Sequence, residues 1–203
     1  MRKVILLCGV LLLTGSWVGK TQSFSINDII STTETIQERT YGIAGKKAYE
    51  LKVDKWIDAT GNKTSPIRLS HFKGKYKVIY CFQNWCPGCH SHGLPSLQKL
   101  TNAFKGDSSI VFLAVQTVFE GEHTNTYDKI FEVQKKYNLA IPFGHDPGNE
   151  STRGRSSIMY NYRTGGTPWF IFIDQENNVV FNDYHIDADK AIAYLKSVTQ
   201  TSH

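Results

Sequence analysis

Runs of apolar residues and helix-spaced apolar residues alternate along this chain, and together they predict its elements. Residues 77–82 are almost wholly β-branched or aromatic, bounded by Gly74 and by Pro87-Gly88, and predict a buried strand. Leu94, Leu97, Leu100 and Phe104 recur at helical spacing and predict a helix from Cys86 to about Phe104. Residues 109–115 predict a second buried strand. Tyr127, Ile130, Phe131 and residues 134–137 predict an amphipathic helix ending near Asn138, and residues 140–143 a short strand. Residues 151–162 predict a further helix. Trp169–Ile173 and Val179–Asp183, separated by Gln175-Glu176-Asn177-Asn178, predict a hairpin. A closing helix, capped by Asp187, is expected to bury Ala188, Ala191, Ile192, Leu195 and Val198. Upstream, Trp56-Ile57-Asp58, the turn residues Gly61-Asn62 and Ile67-Arg68-Leu69 predict another hairpin. Strand–helix–strand–helix, then a hairpin and a helix, is the plan of a three-layer α/β/α domain with a central sheet.

The ends of the chain read differently. Arg2 and Lys3 precede an apolar run over residues 4–13, followed by Thr14-Gly15-Ser16. That is the order of a secretory signal, and the run is shorter than the ~20 residues a spanning helix needs. The expectation is a signal peptide over residues 1–20 and an exported, periplasmic protein, anchored to a membrane only if the leader is retained. Residues 21–55 are polar and mixed, and read as an N-terminal extension with short strands around residues 48–53. The main domain is expected over residues 56–200.

Composition adds bounds. With 40% hydrophobic and 12% aromatic residues in 203, the chain is of the folded globular class. Its net charge of +5 includes Arg2, Lys3 and Lys20, so without the leader it is +2, too little to suggest a nucleic-acid partner. Cys8 lies in the leader, which leaves Cys81, Cys86 and Cys89: a redox pair and one spare thiol rather than a disulfide framework.

Trp85-Cys86-Pro87-Gly88-Cys89 follows a predicted strand and opens a predicted helix. Cysteines three apart, across one helical turn, can close a disulfide. The first lies at the helix N-terminus, where unpaired N–H groups and the dipole favour a thiolate, the nucleophile of disulfide exchange. The second, further in, is the resolving thiol. Pro87 suits a first turn because its missing donor would be unpaired there.

This motif, with Gly166-Thr167-Pro168 some eighty residues later ahead of a hairpin, resembles the thioredoxin superfamily. The stretch from Trp56 to Gly74, W-I-D-A-T-G followed by I-R-L-S-H-F-K-G, is similar to the TlpA/ResA-like redoxin branch. The resemblance covers roughly residues 56–200. It implies a thioredoxin fold with a mixed sheet, catalytic Cys86 and Cys89 as a redox-active disulfide, and substrate binding at Thr167 and Pro168 beside Trp85. It also implies a cis peptide bond before Pro168. No cofactor or metal is required; the partners implied are protein thiol or disulfide substrates and a redox partner that regenerates the pair. By that resemblance the direction is reduction. Three positions depart from the pattern: Tyr80 stands where thioredoxins carry a buried Asp, His92 where the branch often carries Glu, and the helix proline is one residue late at Pro95. His92 or His90 is the substitute expected for the missing carboxylate as proton shuttle.

Rival readings exist. Pro87-Gly88-Cys89 with Pro95 resembles the peroxidatic segment of some peroxiredoxins, but P-x-x-x-T-x-x-C laid on Cys89 meets Phe82 and Cys86 where Pro and Thr are needed. Cys86-Pro87-Gly88-Cys89-His90 matches C-x-x-C-H, the attachment site of c-type haem, for which Met159 is the only methionine outside the leader. Metal binding by Cys86, Cys89, His90 and His92 would engage at most two or three of them, since four ligands within one helical stretch do not all converge. A redox-inert interaction module leaves the two cysteines unexplained. Cys81 reads as a buried small hydrophobe, His145-Asp146 as a polar strand end, His123 as a loop residue, and Arg153, Arg155 and Arg163 as a solvated face.

Overall fold

The structure, a computed structural model, describes residues 25–29 and 41–199. The leader with Cys8, and residues 31–35 of the extension, lie outside the described residues. No helix among the described residues is long and apolar enough to cross a membrane.

Seven strands form one mixed sheet: β1 (Lys55–Ile57), β2 (Lys63–Thr64), β3 (Tyr76–Phe82), β4 (Ile110–Thr117), β5 (Phe143–Asp146), β6 (Trp169–Ile173) and β7 (Val179–Asp183). Their order is β2-β1-β5-β4-β3-β6-β7. The inner strands β3, β4 and β5 run parallel, and the pairs on either side are antiparallel. Between β3 and β4 lie a π-helical turn, Cys89–Gly93, and α1 (Leu94–Ala103). α2 (Lys129–Lys136) precedes β5, α3 (Ser157–Tyr162) precedes β6, and α4 (Ala188–Thr199) closes the chain.

β3 is buried along its whole length because both of its faces are covered. Val78, Tyr80 and Phe82 pack with Leu94, Leu97 and Leu100 of α1, Ile130 and Val133 of α2, and Ala191 and Leu195 of α4. On the opposite face Ile79 and Cys81 pack with Ile158 and Tyr162 of α3. Ile43, Leu51 and Val53, from the segment read as an extension, complete that second face. This is the expected thioredoxin-like α/β architecture.

The differences from expectation are local and have physical causes. Residues 48–53 form no strand. Their carbonyls go to side chains instead: Val53 O accepts from Trp56 Nε1 and Arg68 Nη1, both at 2.9 Å, and Tyr49 O accepts from the Tyr162 hydroxyl. The first hairpin closes through the Asp58 turn, but its second strand is Lys63–Thr64, and Leu69–Phe72 is a 3₁₀ turn. Pro142 has no N–H to give a ladder, so β5 begins at Phe143. The helix expected over residues 151–162 is broken. Arg153 and Gly154 take left-handed φ values of 55° and 74°, ending a short 3₁₀ turn (Glu150–Thr152), and α3 restarts with Ser156 as its cap. In α4, Asp187 Oδ1 accepts from the N–H groups of Asp189 and Lys190, as its capping role predicts. The buried positions are Ala191, Tyr194, Leu195 and Thr199; Ala188, Ile192 and Val198 are only half-buried.

Candidate active site

Beyond Phe82 the chain turns through Gln83 and Asn84 and enters the helical stretch at Pro87. Cys86 and Cys89 are joined as a disulfide, their Cα atoms 5.3 Å apart. Cys86 is 5% exposed and lines the cleft described below, whereas Cys89 is fully buried. The backbone N–H of Cys89 donates to Cys86 Sγ at 3.2 Å. On reduction that donor, and the positive end of the helical stretch, face the first sulfur. The geometry thus gives one accessible sulfur with a built-in stabiliser of negative charge and one sheltered sulfur a turn behind.

The expected helix is continuous here but contains the π turn. Leu94 N–H reaches Cys89 O, which also accepts from the Tyr80 hydroxyl at 3.3 Å. Such turns often mark functional sites. Tyr80 is wholly buried, and burial pushes its hydroxyl well above the ordinary tyrosine range, so it acts as a fixed donor. Gly93 is required by the same arrangement: a Cβ there would strike the Tyr80 hydroxyl and lie 2.9 Å from Pro168 Cβ.

Facing the disulfide is the segment Gly165–Pro168. The Thr167–Pro168 peptide bond is cis, as the resemblance implies. Thr167 O lies 3.5 Å from Cys86 Sγ. A cleft of about 850 Å³ opens over both, walled by Trp85, Phe119, Pro168, Tyr184 and Ile186, with Glu120, His92 and His185 on its polar parts. Trp85 is 46% exposed and forms one wall. Its indole N–H donates to Gln83 Oε1 at 2.7 Å, and Asn125 Nδ2 donates to the same oxygen at 3.1 Å. Asn125 is almost fully buried. Its Oδ1 accepts from Asn84 N at 2.7 Å, and its Nδ2 reaches the carbonyls of Glu120 and Gly121, fastening the loop after β4 to the turn before the cysteines.

The two histidines separate. His92 is exposed and lines the cleft, with Nδ1 2.7 Å from Ser91 Oγ. His90 lies away from it. Its Nε2 is 2.6 Å from Asn84 O, an acceptor only, so that nitrogen carries the proton; its Nδ1 is 2.8 Å from the Tyr137 hydroxyl. With both nitrogens engaged inside the fold, His90 braces the turn and is not placed to shuttle protons to Cys86. The same bonds remove it from the haem and metal readings. Among the described residues no three His, Cys, Asp or Glu side chains converge as a metal site. Cys81, buried mid-strand, has its thiol pushed far up by burial and then by Asp146.

His145 and Asp146 do end a strand, but both are buried. Asp146 Oδ2 accepts from Ser156 Oγ (2.6 Å), Ser157 Oγ (2.9 Å) and Ile158 N (2.9 Å), so it anchors the start of α3. His123 lies on the exposed loop against Trp85. Gln83, Asn125, Gly93 and Tyr184 are site residues that sequence reasoning missed. None belongs to a local motif, and only tertiary pairing reveals them.

Comparison with known proteins agrees with this geometry. A profile of the AhpC/TSA family matches residues 44–182. Among solved structures, the thioredoxin-like superfamily protein SPOA0173 is 28% identical, with a TM-score of 0.65 over 77% of this chain and 96% of that one. A thiol-disulfide isomerase from Corynebacterium glutamicum (24% identical, TM-score 0.66, covering 78% of this chain and 99% of that one) shares the fold. So does the thioredoxin domain of a thiol-disulfide oxidoreductase from Bacteroides vulgatus (20% identical, TM-score 0.54, 79% and 99%). No curated protein sequence matches the chain. The chain therefore belongs to the AhpC/TSA family, on the thioredoxin-like fold, and carries the Cys86–Cys89 disulfide at its cleft.

Proposed function

We propose that this protein is an exported oxidoreductase that reduces disulfides in protein substrates, with Cys86 as nucleophile and Cys89 as resolving thiol. One observation carries the chemistry: Cys86 reaches the cleft while Cys89 is sealed behind it. In the reduced enzyme the Cys86 thiolate attacks one sulfur of a substrate disulfide. A mixed disulfide forms and a substrate thiolate leaves. Cys89, giving up its proton, attacks Cys86 Sγ, re-forms the internal disulfide and releases the second substrate thiol. Two electrons pass to the substrate, and a dithiol partner restores the pair. The proton is assigned to His92, the titratable side chain of the π turn that lines the cleft.

Thr167 and Pro168 form the substrate-facing edge, and the exposed Trp85 wall suits an apolar stretch of polypeptide. Export is supported by the basic and apolar leader, and the reductive direction by the likeness of the Trp56–Gly74 stretch to the TlpA/ResA-like branch. The burial of Cys89 weighs against a peroxidase using that sulfur.

Insulin reduction by a dithiol-fed enzyme tests the chemistry. Cys86→Ser is expected to lose at least ~100-fold in turnover, and Cys89→Ser to accumulate a mixed disulfide through Cys86. Unchanged turnover in Cys86→Ser defeats the reading. A midpoint potential nearer ~−270 mV than ~−120 mV supports the reductive direction, and the converse replaces it with oxidation.

A further inference from the structure

The Tyr184 hydroxyl donates to Thr167 O at 3.1 Å, and that carbonyl is the one 3.5 Å from Cys86 Sγ. Tyr184 follows β7. Its ring stands edge-on to Trp169 at 5.7 Å and covers Gly166, where a Cβ would sit 3.4 Å from it. At 38% exposure the residue belongs to the cleft wall, yet its polar atom points back to the backbone under the disulfide.

A carbonyl oxygen this close to a sulfur acts in opposite ways on its two reduced forms. It accepts from a thiol S–H and so holds the proton, and its lone pairs repel a thiolate. A second donor on the same oxygen draws its electron density away and weakens both effects. We infer that Tyr184 is a positioning residue that favours the Cys86 thiolate by occupying and polarising the Thr167 carbonyl.

The inference rests on the reading of Cys86 as the attacking thiolate. Other titratable groups around that sulfur are His92 on the π turn, Glu120 on the loop after β4, His185 beyond β7, and Cys89 with the Tyr80 hydroxyl on its carbonyl. None of them touches Thr167 O within hydrogen-bonding range among the contacts described, so removing one hydroxyl isolates the Tyr184 contribution.

The test is the pH profile of Cys86 alkylation by iodoacetamide in the reduced protein, compared with Tyr184→Phe. The phenyl ring keeps the packing on Gly166 and Trp169, so the thermal midpoint is expected to stay with the parent. The alkylation midpoint is expected to move to higher pH, with about a threefold smaller thiolate fraction below it, or roughly half a unit. A superimposable profile overturns the inference, whether or not insulin turnover changes, because an effect on turnover alone would mean that the hydroxyl meets substrate instead. The outcomes separate from the functional reading: if Cys86→Ser retains turnover that reading falls, whereas an inert Cys86→Ser with an unshifted Tyr184→Phe profile sinks only the inference.

Discussion

At the end of β5 and at the start of the cysteine-bearing helix, polar groups are held inside the same domain in opposite ways. Around β5, Asp146 accepts from two serine hydroxyls and a backbone N–H, and His145 Nδ1 faces Gln116 at 2.8 Å. The Gln116 amide nitrogen is best placed toward His145 Nδ1 and the carbonyls of Asn125 (3.2 Å) and Thr126 (3.1 Å). There side chains and a backbone N–H meet one another, and little of either residue faces solvent. Around Cys86 the partners are backbone groups, Cys89 N–H and Thr167 O, and the remaining side of the sulfur opens on the cleft. A polar group closed off on every side contributes to stability; one supported from behind and open in front contributes to chemistry. A shifted titration therefore does not by itself mark a site here: burial lowers the pKa of His145, a residue that does not line the cleft.

The largest expected effect tests the closed side. Asp146→Ala leaves the Ser156 hydroxyl and the Ile158 N–H without their acceptor, leaves Ser157 only its longer bond to Lys52 O (3.4 Å), and loosens the start of α3. It should cost about 3 kcal/mol in urea unfolding. The midpoint potential of the cysteine pair should not move, and a potential that shifted with Asp146 would erase the contrast between the two pockets.

Next comes His145. Burial, then the charge of Lys55, lowers its pKa to about 4, outweighing the opposing Asp146 and Asp128. The neutral ring is the form that fits the fold. Between about pH 6.5 and 4 the unfolded chain binds a proton that the folded chain refuses, so stability falls as pH falls through that window. The loss, complete near pH 4, amounts to about 2–3 kcal/mol. His145→Gln, which keeps an acceptor but does not titrate, should flatten that slope. A slope unchanged in the variant would assign it to other groups.

Much of this was legible in the sequence, for reasons the structure makes concrete. β3, β4 and β6 are buried on both faces, so their apolar runs had no competing interpretation. The cysteine pair and Thr167–Pro168 are local motifs, and each lands at the cleft. What escaped is non-local. Asn125 meets Gln83 across 42 residues and Tyr184 meets Thr167 across 17. An Asn in a polar loop and a Tyr past a strand end carry no sign of such pairings. The break at Arg153 was hidden because left-handed backbone at a non-glycine residue follows from surrounding contacts rather than from residue type.

On the open side, Gly93→Ala should cost about 2 kcal/mol, because the new methyl meets the Tyr80 hydroxyl and Pro168 together. Here stability and turnover should fall together, since the two obstacles lie behind Cys89 and beside the substrate edge. Tyr80→Phe in the same chain removes one obstacle, so the double variant should be less destabilised than the sum of the singles. Strict additivity would mean that the glycine is needed for the π turn itself.

The smallest stability effect sharpens the comparison most. Gln83 Oε1 takes hydrogen bonds from Trp85 and Asn125, while its buried Nε2 has no hydrogen-bond partner. Replacing it by Met removes that unpaired donor along with the acceptor. The Trp85 indole N–H belongs to a half-exposed ring and can turn to water, and Asn125 Nδ2 keeps the carbonyls of Glu120 and Gly121. Gains and losses nearly offset, and Gln83→Met should change stability by about 1 kcal/mol or less. Trp85, however, loses the bond that fixes its ring as a wall of the cleft. KM for a protein substrate should rise several-fold at nearly constant kcat, and the indole fluorescence should respond less to reduction of the disulfide. A large loss of stability with an unchanged KM would place Gln83 with Asp146 among the groups that hold the fold, and the cleft would then owe its shape to packing alone.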